Sequence, residues 1–175
     1  MPIFGDTTSG PDEFPASGDR ALLDRYAITE NGTADSISVY AGASSTSGAN
    51  WKGLIYTDSA GAPGSLVAAS ASAAVSGPGW VTMNFSGSPA LTTGNYWIGV
   101  VADNFQAYFG EDASGTAPDV VMANGTLSFS SPPSTWPGTD ASYAVGLNVY
   151  VTYTAGGGGA AVAVLLHQLR TQGIA

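Results

Sequence analysis

The sequence predicts an all-β fold, an antiparallel β-sandwich of jelly-roll-like type, with an extended N-terminal arm and a short apolar C-terminal tail. Three observations carry that prediction. Short segments alternate apolar and polar residues with period two, turn chemistry separates them at intervals of about ten residues, and no amphipathic helical stripe occurs before residue 155. Gly, Ser, Thr and Ala are abundant, and such small residues suit tight turns and closely spaced strands.

Residues 1–20, with Pro2, Pro11 and Pro15, read as an extended arm, and residues 21–154 as the sandwich. "RYAIT" is the first strand. "SISVYAG" sets Ile37 and Val39 against Ser36 and Ser38, and between these two strands Asn31-Gly32 favours a tight reversal. "KGLIYTD" and "SLVAAS" are strands flanking "SAGAPGS", where Pro63-Gly64 fits the centre of a type II turn. "WVTMNF" points Val81, Met83 and Phe85 one way and Trp80, Thr82 and Asn84 the other. "NYWIGVVAD" is apolar on both faces, as a central strand should be, and "QAYFGE" is a candidate to pair with it. The stretch from Ala113 to Thr139 reads as loop, apart from a short strand candidate in "TLSFS". The last strand, "YAVGLNVYVTYT", puts Leu147, Val149, Val151 and Tyr153 on one side and Asn148, Tyr150 and Thr152 on the other.

Residues 155–159 form a glycine-rich linker and 160–175 a C-terminal docking segment. In that segment Val162, Leu165, Leu166 and Leu169 follow the i, i+3, i+4, i+7 spacing of one apolar helical stripe. So short a helix is marginal alone in water, so it should form only against a surface. Docking on a neighbouring subunit, packing back on its own sandwich, and adding a strand to another sheet are the alternatives. The segment is too short to span a bilayer.

Charged residues make up 10% of the chain and the net charge is −9, with four Lys and Arg in total; that balance excludes a phosphate-tracking nucleic-acid binder. Without cysteine there is neither a disulfide nor a thiolate metal site. The opening "MPIFGDTTSGPDEF" has no basic or apolar region, so no secretory signal is expected.

Catalytic chemistry is hard to assemble from these residues. Nucleophilic catalysis needs an adjacent base, and His167, the only histidine, lies in the tail. Lys52 is the single lysine, better explained by an ion pair or a solvated head than by Schiff-base chemistry. Asp103 and Glu111 bracket "NFQAYFGE" and are the candidate carboxylate pair for glycoside cleavage; with Asp112 they are also the candidate calcium ligands. Acids at loop ends of an acidic domain are the simpler reading, so no cofactor and no enzymatic activity are expected. Trp136, framed by prolines in "PPSTWPG", and Trp51 are read as loop aromatics able to contact a glycan or a protein, while Trp80 and Trp97 are read as core or sheet-face residues. The N-x-S/T triplets at Asn31, Asn84 and Asn124 read as chance in so Ser- and Thr-rich a chain.

The segments "IYTDSAGAPGSLVA" and "LTTGNYWIGV", set in the strand order above, give the chain a resemblance over about residues 3 to 154 to a known family. It resembles small β-sandwich modules of tailed-phage structural proteins and of bacterial surface-adhesion proteins. The resemblance implies a non-enzymatic virion protein assembled in the host bacterial cytoplasm, an exterior decoration or fibre-like module. Its terminal segments would anchor it to capsid or tail subunits, with a homo-oligomer, a trimer first, as the expected state. The alternative is a carbohydrate-binding or host-adhesion module using loop aromatics.

Overall fold

The computed structural model describes residues 1–15, 18–112, 120–124 and 127–156. Its strands are β1 (Ile3–Gly5), β2 (Asp12–Pro15), β3 (Arg20–Ile28), β4 (Gly32–Ala41), β5 (Asn50–Ser59), β6 (Ala62–Ala74), β7 (Gly79–Asn84), β8 (Ala90–Leu91), β9 (Gly94–Ala102), β10 (Tyr108–Asp112), β11 (Val120–Asn124), β12 (Ala141–Tyr143), β13 (Gly146–Leu147) and β14 (Val149–Ala155). Among the described residues there is no helix, and so none long and apolar enough to cross a membrane. The strands form two antiparallel sheets. One runs β12-β11-β3-β9-β5-β6, and the other runs β1-β14-β4-β10-β13, with β7 and β8 on β4 and β2 on β10. The fold is an all-β sandwich, as the alternation predicts.

The main core lies between the sheets. Alternation sends Ile37, Val39 and Val151 inward from the eight-stranded sheet to meet Leu22, Ile55, Ile98 and Val100 of the other, with the Trp51 and Phe109 rings in tilted contact at a centroid distance of 5.0 Å and an interplanar angle of 43°. Each fully buried Ile, Leu or Val side chain stabilises the fold by about 1.5–3 kcal/mol relative to exposure. A second core lies on the outer face of the six-stranded sheet, where Leu23, Leu54, Tyr56, Trp97 and Val101 point away from the sandwich. Residues 127–140 cross this face and close it with Leu127 and Trp136. Two backbone bonds, Trp136 N to Gly64 O at 2.9 Å and Leu66 N to Ser134 O at 2.9 Å, stitch that cover to β6.

Several local expectations are corrected. Within residues 1–20 the extended segment lies along the eight-stranded sheet: β1 pairs with β14 and β2 with β10, so the ladder satisfies the backbone groups of those two strands. The β5–β6 turn sits at Ala60-Gly61, both at positive φ (52° and 84°), whereas Pro63-Gly64 lies inside β6. The primed turn matches the twist of a two-residue hairpin, which a type II turn would splay. Asn31-Gly32 makes no hairpin, because β3 and β4 belong to different sheets and the connection crosses between them. Asn31 instead braces the β8–β9 loop, its Oδ1 accepting from Thr93 N at 2.8 Å. β10 pairs with β2, β4 and β13 rather than with β9. The stretch read as loop holds β11, while Leu127–Ser130 is not a strand. The single last strand is three: β12 joins the six-stranded sheet, β13 and β14 the other.

Candidate functional site

The outward face of the eight-stranded sheet gathers aromatic rings from strands far apart in sequence. Cross-strand register sets Tyr40 opposite Trp80, Ser38 opposite both Thr82 and Tyr150, and Ser36 opposite both Asn84 and Thr152. All these positions alternate away from Ile37, Val39, Met83 and Val151, so they point out. Ser38 is the pivot: its small side chain lets the Trp80 and Tyr150 rings close over it to a centroid distance of 5.0 Å, edge to face at 64°. Trp80 meets Tyr40 in the same manner, at 5.4 Å and 69°. The Ser38 hydroxyl beneath them shares a 2.8 Å hydrogen bond with Thr82. Tyr40 lies over β10 because residue 110 is glycine, where a Cβ would stand 2.7 Å from Tyr40 Cδ1.

Tyr40, Trp80 and Tyr150 are each half-buried, so each ring keeps part of its surface in water. Among the described residues no protein group bonds the two phenol hydroxyls or Trp80 Nε1, which leaves three polar handles around a ring cluster. Edge-to-face packing suits the ring quadrupoles and fixes the cluster's shape. The arrangement can stack on a flat, weakly polar surface and hydrogen-bond around its rim.

A second concavity, of about 280 Å³, lies at one end of the sandwich between Thr57, Asp58, Thr92, Thr93, Asn95 and Tyr96. Several of its polar groups are engaged within the protein. Asp58 takes Trp97 Nε1 at 2.9 Å and forms an ion pair with Arg25 at 2.9 Å, and the Tyr96 hydroxyl accepts from Thr92 N at 3.0 Å.

The residues singled out from the sequence fall elsewhere. Trp51 is a correction: it lies in β5, fully buried against Phe109, and presents no ring to a ligand. Trp136 is the second correction: it sits in a loop, yet only 8% of it is exposed, because its indole packs edge to face on Tyr56 at 5.4 Å and its Nε1 donates to Thr139 at 3.2 Å. Burial pushes the Tyr56 hydroxyl up to about 12, and it donates to Pro133 O at 2.9 Å, holding the same cover in place.

Asp103, Glu111 and Asp112 do not converge as a ligand set. Asp103 accepts from Asn50 N at 2.8 Å and Asn50 Nδ2 at 2.7 Å, clamping the start of β5. Glu111 and Asp112 are neighbours on β10 and point to opposite faces. Glu111 stands opposite Asp12, and burial, then that carboxylate, raises its pKa. Asp112 accepts from Thr8 Oγ1 at 2.6 Å and Asn148 Nδ2 at 3.2 Å. Asn148, fully buried under residues 6–10, also accepts from Gly10 N at 2.9 Å, so this knot ties the N-terminal segment to the sheet. Nearby, burial and then the Asp24 carboxylate push the Tyr26 hydroxyl far above its ordinary value as it donates to Asp24 Oδ2 at 2.9 Å. Among the described residues no group of three or more His, Asp or Glu is placed to hold a metal ion. Lys52 Nζ donates to Phe129 O at 2.9 Å and lies over the Phe129 ring. Val162, Leu165, Leu166, His167 and Leu169 lie outside the described residues.

Sequence reading missed the outer cluster as a site, although its alternation already set Trp80 and Tyr150 away from the core. Only the register of three non-adjacent segments brings Tyr40 beside them. No known protein family matches the chain, and no curated protein matches it in sequence.

Proposed function

We propose that this chain is a non-enzymatic structural module on the exterior of a bacteriophage particle, a decoration or fibre-like domain held on capsid or tail subunits through its C-terminal segment. The resemblance to phage and adhesion modules supports this reading, as does a charge-poor, hydroxyl-rich exterior at net charge −9, which keeps crowded copies from sticking to one another. The observation that carries it is that the described residues build two cores of their own, one between the sheets and one beneath residues 127–140. Gly156 N bonds Asn31 O at 2.8 Å, so the tether starts from a fixed point at one end of the sandwich. Of the two carboxylates read as a glycoside-cleaving pair, Asp103 accepts from Asn50 N at 2.8 Å and Asn50 Nδ2 at 2.7 Å, and Glu111 stands opposite Asp12 in the β2–β10 ladder.

The chain should band with intact particles at a fixed copy number in a density gradient, and scattering should find it as a trimer. Ending it at Gly156 should leave the melting temperature unchanged and abolish incorporation, and Leu165→Asp with Leu169→Asp should do the same. Incorporation of the shortened chain at full occupancy would refute anchoring by the tail. The host-adhesion reading loses Trp136 and Trp51 as its contacts and needs another surface.

A further inference from the structure

We infer that the Tyr40–Trp80–Tyr150 face is a binding platform for a neutral polysaccharide. The inference gives the adhesion reading a surface and is independent of the particle role, because it concerns the folded domain alone.

Ring chemistry comes first. A pyranose shows C–H bonds on its faces and hydroxyls around its edge. The polarised C–H hydrogens settle against the electron-rich face of an aromatic ring, and the hydroxyls need partners where they leave water. Three half-buried rings supply the first need. The phenol hydroxyls of Tyr40 and Tyr150 and the indole N–H of Trp80, unbonded by protein among the described residues, supply the second. The rings are braced against one another at 5.0 and 5.4 Å and backed by the Ser38–Thr82 hydrogen bond, so little side-chain freedom is lost on binding.

Composition of the face selects the ligand class. A protein partner of ordinary kind would meet an aliphatic patch at the centre of its contact. Here the outward neighbours of the rings are Ser36, Ser38, Thr82, Asn84 and Thr152 with Gly5 opposite Tyr150, and the one aliphatic side chain these ladders bring to the face is Ile3, opposite Thr152 at its β1 edge. The outer face of the other sheet carries Leu23, Leu54 and Val101, and that face is covered. Charge narrows the class further. The platform residues carry none, and a chain of net charge −9 repels an anionic polymer at long range, so the fitting ligand is uncharged. Residues 6–10 bound the face beside Asn148, and from there the outward positions run along β4 from Tyr40 through Ser38 to Ser36, a row that suits a chain rather than a single sugar.

The test is affinity electrophoresis of the full chain in gels holding hydroxyethylcellulose, mixed-linkage β-glucan, dextran or galactomannan, with polygalacturonate as the anionic control. At least one neutral polymer should retard the protein and polygalacturonate should not. Trp80→Ala and Tyr150→Ala should each weaken retardation about tenfold or more while the melting temperature stays within about 5 °C of the parent. Trp51, Trp97 and Trp136 are buried, so a ligand-induced change in tryptophan emission reports on Trp80 and should vanish in Trp80→Phe while some retardation remains. Retardation by none of the four neutral polymers, equal retardation by polygalacturonate, or retardation that survives both alanine variants overturns the inference.

Discussion

Outside the six-stranded sheet, Leu127 and Trp136 close over Leu54, Tyr56 and Trp97; outside the eight-stranded sheet, Tyr40, Trp80 and Tyr150 meet solvent with hydroxyl-bearing neighbours. Both sheets send the same kind of residue inward, so the difference lies in the outward half of each strand's alternation. Where that half is aliphatic, as in β3, β5 and β9, the chain spends residues 127–140 to cover it. Where it is Ser, Thr and Asn, water or a neighbouring hydroxyl, as Thr82 for Ser38, satisfies the side chains, and aromatic rings placed among them keep part of their surface in solvent. The contrast separates tryptophans by role even though their local sequences look alike.

The largest effect should come from setting the two exterior tryptophans against each other. Trp136→Ala opens the covered face and should cost about 3–5 kcal/mol, the range for deleting a buried indole. Trp80→Ala removes a half-buried ring whose neighbours are polar, and should cost about 1 kcal/mol. Urea unfolding of the two variants measures both. Equal losses would mean that Trp80 is a core residue in all but position, and the distinction between the faces would fail.

A middle-sized effect separates two tryptophans on neighbouring strands of the six-stranded sheet. Trp97 points outward and its Nε1 donates to Asp58 at 2.9 Å; Trp51 points inward and its buried Nε1 has no partner among the described residues. Replacing either by Phe removes similar volume. Trp97→Phe also strips a charged acceptor of one donor, so it should cost about 1.5–3 kcal/mol more than Trp51→Phe. A thermal or urea series on the pair checks the difference, and a Trp51→Phe loss as large as that of Trp97→Phe would point to packing with Phe109 as the controlling term.

Much of this architecture was legible because period two is a local signal. "WVTMNF" and "NYWIGVVAD" became β7 and β9 with their faces as read, and the apolarity of β9 on both sides already implied that each face of its sheet would be covered. Non-local facts were not legible. β10 read as a partner of β9 because the two are close in sequence, yet pairing with β2 and β13 is what closes the other sheet. The proline-rich start read as an arm because its strands are only three and four residues long, too short to show alternation. Trp136 read as exposed because prolines flank it, but prolines also suit a rigid lid, and Leu54 and Tyr56 supply the apolar surface beneath. The outer cluster was half legible: each ring's direction follows from its own strand, whereas their meeting over Ser38 depends on register.

The smallest effect concerns the N-terminal strands laid on the eight-stranded sheet, where like charges face each other. Glu111 stands opposite Asp12 across the β2–β10 ladder, and burial with that neighbour raises its pKa in the folded state. A carboxyl with a raised folded pKa binds its proton more tightly folded than unfolded. Its contribution therefore favours folding at acid pH, fades as pH rises through the folded pKa, and becomes a small cost at neutral pH. Glu111→Gln removes that cost, so the variant should melt about 1–2 °C above the parent at pH 7, a modest figure because the site is partly solvated. The gap should narrow as pH falls through the carboxylate range and close below about 4, near the ordinary glutamate value. Melting curves from pH 3 to 8 decide it: a gap that holds constant would trace the effect to side-chain packing instead of charge, and a gap that widens in acid would reverse the sign of the coupling between β2 and β10.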